Sequence, residues 1–273
     1  MRLFSILCSA MMVAGALALG PSGLAGLPGP AQAEPAPLKR MLTADDSRGW
    51  EAVGRLDIAG RAFCTGALIA PDLVLTAAHC LFDRETGKRF EIGDMTFLAG
   101  WRGGRAEAYR TVRQALPHPD YEFGGPDRMA RVRHDIALVE LSQPIRLSGV
   151  RPFETEGQPK RGEPVGIVSY AHDRAEAPSI QEVCDVLGRQ PGMLVLSCLV
   201  DFGSSGAPIF VLRDGVARIV SVVSAKAEMG STPVALGSTL DEALDVLRAE
   251  VGRVPVVPAG QRFTGGGAKF VRP

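Results

Sequence analysis

Three features of this sequence predict an all-β protein. From Trp50 onward, short apolar runs alternate with clusters of Gly, Pro, Asp or Arg. Runs of about four to eight residues bounded by turn formers read as strands of a sandwich or barrel. The runs do not alternate with regular helical segments, as a βαβ chain would require. Finally, 46% of the 273 residues are hydrophobic, enough to bury the core of one large domain or two small ones.

In chain order, the expected strands are Ala52–Ile58, Phe63–Ile69, Leu73–Ala77, Met95–Ala99, Ile136–Leu141, Pro164–Ser169, Met193–Leu199, Ala207–Leu212 and Ala217–Val223. Residues 142–163 carry prolines, glycines and charges, and read as a linker between two halves of similar size. One helix is expected near the end. Thr239 and Glu242 have capping-box spacing, and Leu240, Leu244, Leu247 and Val251 follow at helical intervals. Gly252 fits the C′ position. Residues 253–273, rich in Gly and Pro, read as a flexible tail.

The N-terminus has a different character. Arg2 precedes an almost wholly apolar stretch from Leu3 to Leu19, and Ala31-Gln32-Ala33 has the small-x-small form of a signal peptidase site. Residues 1–33 therefore read as a signal peptide and not as an anchor, because the apolar run is short for a membrane span. Residues 34–49, with the dibasic pair Lys39-Arg40, read as a pro-segment or flexible N-terminus. The expected location is outside the cytoplasm, secreted or periplasmic, with no membrane anchor after leader cleavage. Lys+Arg and Asp+Glu both number 30, so no net charge directs the chain to nucleic acid.

Cys8 falls in the leader. That leaves Cys64, Cys80, Cys184 and Cys198, which allow three disulfide connectivities. The short separations favour Cys64–Cys80 and Cys184–Cys198. No CxxC or HxxxH spacing accompanies them, so a cysteine zinc site is not expected. No acidic loop has the ligand spacing of a calcium site. Neither a metal nor a cofactor is expected.

Three segments carry chemistry. In Thr76-Ala-Ala-His79-Cys80, an apolar strand runs into a histidine beside a cysteine. Histidine is the side chain whose ordinary pKa, about 6.5, suits a base working near neutrality. In His134-Asp135-Ile-Ala-Leu-Val-Glu-Leu141, an aspartate opens an apolar strand. A carboxylate there can accept the imidazole Nδ1–H and fix its tautomer. In Gly203-Ser204-Ser205-Gly206-Ala207-Pro208, a serine sits on a glycine-rich turn. The glycines allow close substrate approach, and the N–H groups of Gly203 and Ser205 can serve as an oxyanion hole.

Together, TAAHC at 76–80, HDIALVEL at 134–141 and GSSGAP at 203–208 resemble the chymotrypsin-like (trypsin-like) serine peptidases. The order His, Asp, Ser is theirs and not that of subtilisins or α/β-hydrolases. The resemblance covers roughly residues 50–252, and the stretch from Cys184 to Cys198 looks most like the bacterial glutamyl-endopeptidase-like branch. It implies two six-stranded antiparallel β-barrels with a short C-terminal helix. It also implies a triad of His79, Asp135 and Ser205, and a Cys64–Cys80 bridge stapling the histidine loop. The implied activity is a monomeric serine endopeptidase acting on protein or peptide substrates. A catalytically silent binding protein of the same fold, or an acyl hydrolase using the same triad, are the alternatives.

The sequence departs from the family pattern in three places. Ser204 stands where the family has the aspartate that pairs with a new N-terminal ammonium, and the usual Ile-Val-Gly-Gly start is missing. Ala207 replaces the second glycine of GDSGGP. The strand Arg-Ile-Val-Ser221-Val-Val223-Ser224 resembles the pocket-lining Ser-Trp-Gly segment. With Ser221 in the serine position, Val223 replaces the glycine and narrows the pocket toward small P1 residues. With Ser224 there instead, that argument lapses. Asp201 has the wrong spacing from Ser205 for an acidic pocket floor.

Overall fold

The computed structural model describes residues 36–253, and the expected leader and nearly all of the expected tail lie outside them. Fourteen strands and two α-helices make up the regular structure among the described residues. The strands are β1 (Lys39–Arg40), β2 (Val53–Ile58), β3 (Ala62–Ala70), β4 (Leu73–Thr76), β5 (Met95–Ala99), β6 (Ala108–Pro117) and β7 (Ala137–Leu141). They continue with β8 (Glu154–Thr155), β9 (Pro164–Ser169), β10 (Ser179–Gln190), β11 (Met193–Leu196), β12 (Pro208–Arg213), β13 (Val216–Met229) and β14 (Thr232–Thr239). The helices are α1 (Arg128–Arg133) and α2 (Asp241–Arg253).

The first barrel closes in the order β2-β3-β4-β7-β6-β5. On one face of its strands Leu56 pairs with Phe97, and Leu68 with Val74, to fill the interior, while Val53, Leu75 and Leu138 on the opposite face are buried outside the barrel. Each such side chain stabilises the fold by about 1.5–3 kcal/mol through burial. The second barrel runs β10-β11-β14-β13-β12-β9 and closes through the β9–β10 pairing. Ile167, Val186, Leu194, Ile209 and Val220 fill it. Trp50, Phe153 and Phe210 join the barrels through tilted and edge-on ring contacts, with centroids 4.8–5.9 Å apart. The two-barrel architecture is the one that the family resemblance implied.

Several elements differ from expectation. Residues 36–49, read as a pro-segment or flexible stretch, are anchored where described: Lys39 and Arg40 pair with Ile180 and Ser179, and Met41 is buried in the core. β6 and β10 escape a search for apolar runs because about half of their residues are polar, and β14, with the short apolar run 233–236, is a further strand beyond those expected. The short helix α1 is a further element beyond those expected, with Asp127 as its N-cap accepting hydrogen bonds from the N–H groups of Met129 and Ala130. α2 begins at Asp241 and runs through Gly252 instead of ending before it. Thr239 belongs to β14, and its hydroxyl accepts from Gln158 Nε2 at 3.4 Å.

Candidate active site

His79 lies in a single 3₁₀ turn, Ala78–Leu81, at the end of β4. The Cys64–Cys80 disulfide ties that turn to β3. Asp135 lies between α1 and β7, and its side chain is only 5% exposed. Its carboxylate accepts from the His79 backbone N–H at 2.8 Å through Oδ1, and it meets His79 Nδ1 at 2.7 Å through Oδ2. A carboxylate is an acceptor only, so Nδ1 carries the proton and Nε2 keeps its lone pair. Tyr121 packs near this pair, against Phe82. Burial, reinforced by the Asp135 charge, holds its phenol well above the usual range and therefore neutral.

Oδ2 of Asp135 also receives the hydroxyl of Ser224 at 2.6 Å. Ser224 sits where the β13–β14 register shifts between Val223 and Ala225. A bulge there places an extra residue and re-aims its side chain. Ser224, the other candidate for the serine position of the Ser-Trp-Gly pattern, is thus the one that meets Asp135; in that register Ala225 and Lys226 follow in the places of the tryptophan and the glycine. The expectation that Ser221 binds substrate is corrected: Ser221 is fully buried, and its hydroxyl donates to the Ser238 carbonyl at 2.7 Å. The small-P1 argument lapses with it. Val223 does line the cleft. Its backbone also braces the serine turn, accepting from Gly206 N at 2.8 Å and donating to Ala207 O at 2.9 Å.

Ser205 and His79 line one cleft of about 490 Å³, together with Val223, Ser224 and Lys226. The turn that presents Ser205 needs both of its glycines. At Gly206 (φ +75°), a Cβ would lie 2.1 Å from Thr76 Oγ1. At Gly203 (φ +95°), it would lie 2.5 Å from the Phe63 ring and 2.9 Å from Ala171 Cα. Among the described residues, the N–H groups of Ser204, Gly206 and Ala207 donate to backbone carbonyls, whereas those of Gly203 and Ser205 have no such acceptor. These two N–H groups are the pair expected for an oxyanion hole.

Sequence reasoning missed two supports. Thr65 on β3 donates its hydroxyl to Gly203 O at 2.8 Å and accepts from Tyr170 N at 3.0 Å. Its own N–H donates to Ser205 O at 2.9 Å. One residue of the first barrel thereby holds the serine turn of the second. The other support is Arg174, which is buried under that turn. Its guanidinium contacts Ser169 Oγ at 3.4 Å and Ser204 Oγ at 3.5 Å. Ser204, which stands where the family pattern has aspartate, is fully buried, and its hydroxyl also meets Ser169 Oγ at 3.3 Å. No local motif announces either support, because the serine-turn partners, Gly203 for Thr65 and Ser204 for Arg174, lie 138 and 30 residues away. A second cleft, of about 700 Å³, shares His79 and reaches Arg55, Arg61 and Phe63. The exposed His172 lies along it.

Two β-barrels with an Asp–His pair and a glycine-flanked serine at a common cleft define the chymotrypsin-type serine peptidase fold. The trypsin family model matches residues 43–188, more than half of the chain, and the chain belongs to that family. It is 31% identical to human serine protease 56 over 141 residues, which is 49% of this chain and 22% of that protein. It is 37% identical to kallikrein-15 of Saguinus oedipus over 110 residues, covering 40% of this chain and 38% of the other. The chain thus spans well under half the length of these curated relatives. A solved Glu endopeptidase in complex with MPD superposes with a TM-score of 0.66 at 16% identity, over 81% of this chain and 99% of that one. Both disulfides of the expected pairing, Cys64–Cys80 and Cys184–Cys198, are formed. Among the described residues, no helix is long and apolar enough to cross a membrane.

Proposed function

We propose that this chain is a secreted serine endopeptidase that cleaves peptide bonds through an acyl-enzyme. The observation carrying the proposal is the Asp135 carboxylate, which receives both His79 Nδ1 and Ser224 Oγ beside the cleft that holds Ser205. His79 Nε2 takes the proton of Ser205 as Oγ attacks the scissile carbonyl carbon. Asp135 keeps the imidazole oriented and stabilises its charged form. The N–H groups of Gly203 and Ser205 receive the oxyanion, where one such donor contributes about 10²–10³ in rate. His79 then gives its proton to the leaving amine, and water repeats the sequence on the ester. The mechanism requires the Ser205 hydroxyl to come within hydrogen-bond reach of His79 Nε2 once substrate is bound.

The leader pattern at 1–33 and two disulfides, which persist in oxidising compartments, support the export in this reading. N-terminal sequencing of the exported protein locates the cleavage: a start at Glu34 supports the leader alone, and a start at Met41 adds a pro-segment.

The purified chain is tested with a fluorophosphonate probe and a mixed peptide library. Expected are labelling of Ser205, peptide cleavage, and loss of both in Ser205→Ala by at least about 10⁴-fold. A native chain without labelling overturns the enzyme reading in favour of a silent binding protein. Labelling without peptide cleavage favours an acyl hydrolase.

A further inference from the structure

His118 and His134 stack face to face away from the Ser205 cleft, with centroids 5.0 Å apart and planes 7° apart. His118 directly follows β6, and His134 caps the C-terminus of α1 just before Asp135. The His118 ring is buried, at 6% exposure. Nδ1 of His134 is also buried and has no hydrogen-bond partner. A buried polar atom without a partner calls for an explanation, and an absent ion is one. The Asp120 backbone N–H donates to His118 Nδ1 at 3.2 Å, a bond that an ion at this nitrogen replaces, and Asp120 Oδ2 lies 4.0 Å from the same atom. One ligand atom from each of the three residues lies within 4.8 Å of the others. They border a cavity of about 570 Å³, whose wall adds Asp241 and Glu242 against a single cation, Arg133.

We propose that His118, Asp120 and His134 form a binding site for a divalent transition metal ion, with zinc the best match. Two imidazoles and one carboxylate suit zinc and its borderline neighbours, whereas calcium and magnesium take oxygen ligands. A tetrahedral zinc with bonds of about 2.0–2.1 Å needs ligand atoms roughly 3.4 Å apart. The trio must therefore draw inward by at most roughly 1.4 Å, and the His134 ring must turn out of its parallel stack on His118, because an imidazole lone pair lies in the ring plane. Asp120 is free to do so, because its side chain is 73% exposed. The fourth position faces the cavity and stays open to water. A second cluster, Cys64, His79 and Cys80, lacks such capacity: both sulfurs are in a disulfide and His79 Nδ1 is engaged by Asp135. A bound ion ties the segment after β6 to the turn carrying Asp135, so it stabilises the first barrel whether or not the chain cleaves peptides.

The test is calorimetric titration of zinc chloride into the purified chain after EDTA treatment and dialysis, with thermal denaturation in parallel. Expected are one ion per chain and a Tm higher by about 5 °C or more at a hundredfold excess over Kd. Asp120→Asn and His134→Gln each weaken binding by at least about tenfold. His79→Ala, which removes the competing imidazole of the cleft, leaves binding unchanged. The exposed position of Asp120 lets Asp120→Asn retain the metal-free Tm, which separates lost binding from lost folding. The proposal is overturned by no stoichiometric binding to the native chain, by binding indifferent to both ligand variants, by binding lost with His79→Ala, or by equal affinity for calcium.

Discussion

Ser224 donates its hydroxyl hydrogen to Asp135 Oδ2 at 2.6 Å, and the same oxygen meets His79 Nδ1 at 2.7 Å. The second barrel thereby holds the aspartate that orients the histidine of the first. Ser224→Ala removes a hydrogen bond to a charged group, worth about 1.5–3 kcal/mol. Steady-state kinetics are expected to show kcat lower by about tenfold with KM little changed. An unchanged kcat would remove Ser224 from the positioning role.

Thr65 connects the barrels at the serine turn through its hydroxyl and its N–H. Thr65→Val keeps the shape and strands the Tyr170 N–H without its acceptor. A buried unsatisfied donor costs about 1–3 kcal/mol. Thermal denaturation is expected to show a Tm lower by about 2–4 °C for each kcal/mol lost. The Gly203 carbonyl also loses its donor, so kcat is expected to fall alongside.

Lys226 borders the cleft, with its ammonium 3.8 Å from Asp201 Oδ1. Both side chains are more than half exposed, so this pair adds little stability. Its effect is steric, because the family has glycine at that place. Lys226→Gly is expected to raise kcat/KM for peptides with bulky P1 side chains, with Tm little changed. Profiling both proteins on one peptide library checks this, and identical profiles would exclude Lys226 from the specificity site.

Glu163 supplies a pH dependence of stability. The Lys160 N–H, bonded at 2.7 Å, and then Arg213 hold its carboxyl below the usual value of 4.5. A lowered folded-state pKa means stability that is present in full above pH 4.5 and lost as pH falls through the lowered value. Glu163→Gln is therefore expected to lower Tm at pH 7, with the gap from the native chain closing below pH 4.5. Melting curves from pH 3 to 7 check the sign.

The sequence carried much of the first barrel and of the site. β5 and β9 fall at the expected limits, because their apolar runs are continuous and sharply bounded. β10 is illegible as an apolar run because it shows the barrel interior only about every second side chain, whereas β14 carries only the short apolar run 233–236 between polar ends. His79 and Cys80 are legible together because the constraint is local, a turn stapled by its neighbour. Ser224 and Ser221 were indistinguishable, because either serine fits the strand until its register is known.

The sequence by itself determined the all-β class, the order of His79, Asp135 and Ser205, and the glycines that their turn requires. Each of these follows from local chemistry: apolar runs, the residue beside the histidine, and the φ > 0 positions that only glycine occupies without strain. Only the tertiary structure decided which serine meets Asp135, that Thr65 and Arg174 brace the serine turn, and that His118, Asp120 and His134 converge. Those contacts depend on how strands far apart in sequence align. A one-residue bulge in β13 changes which side chain points at the site, while leaving every local pattern intact.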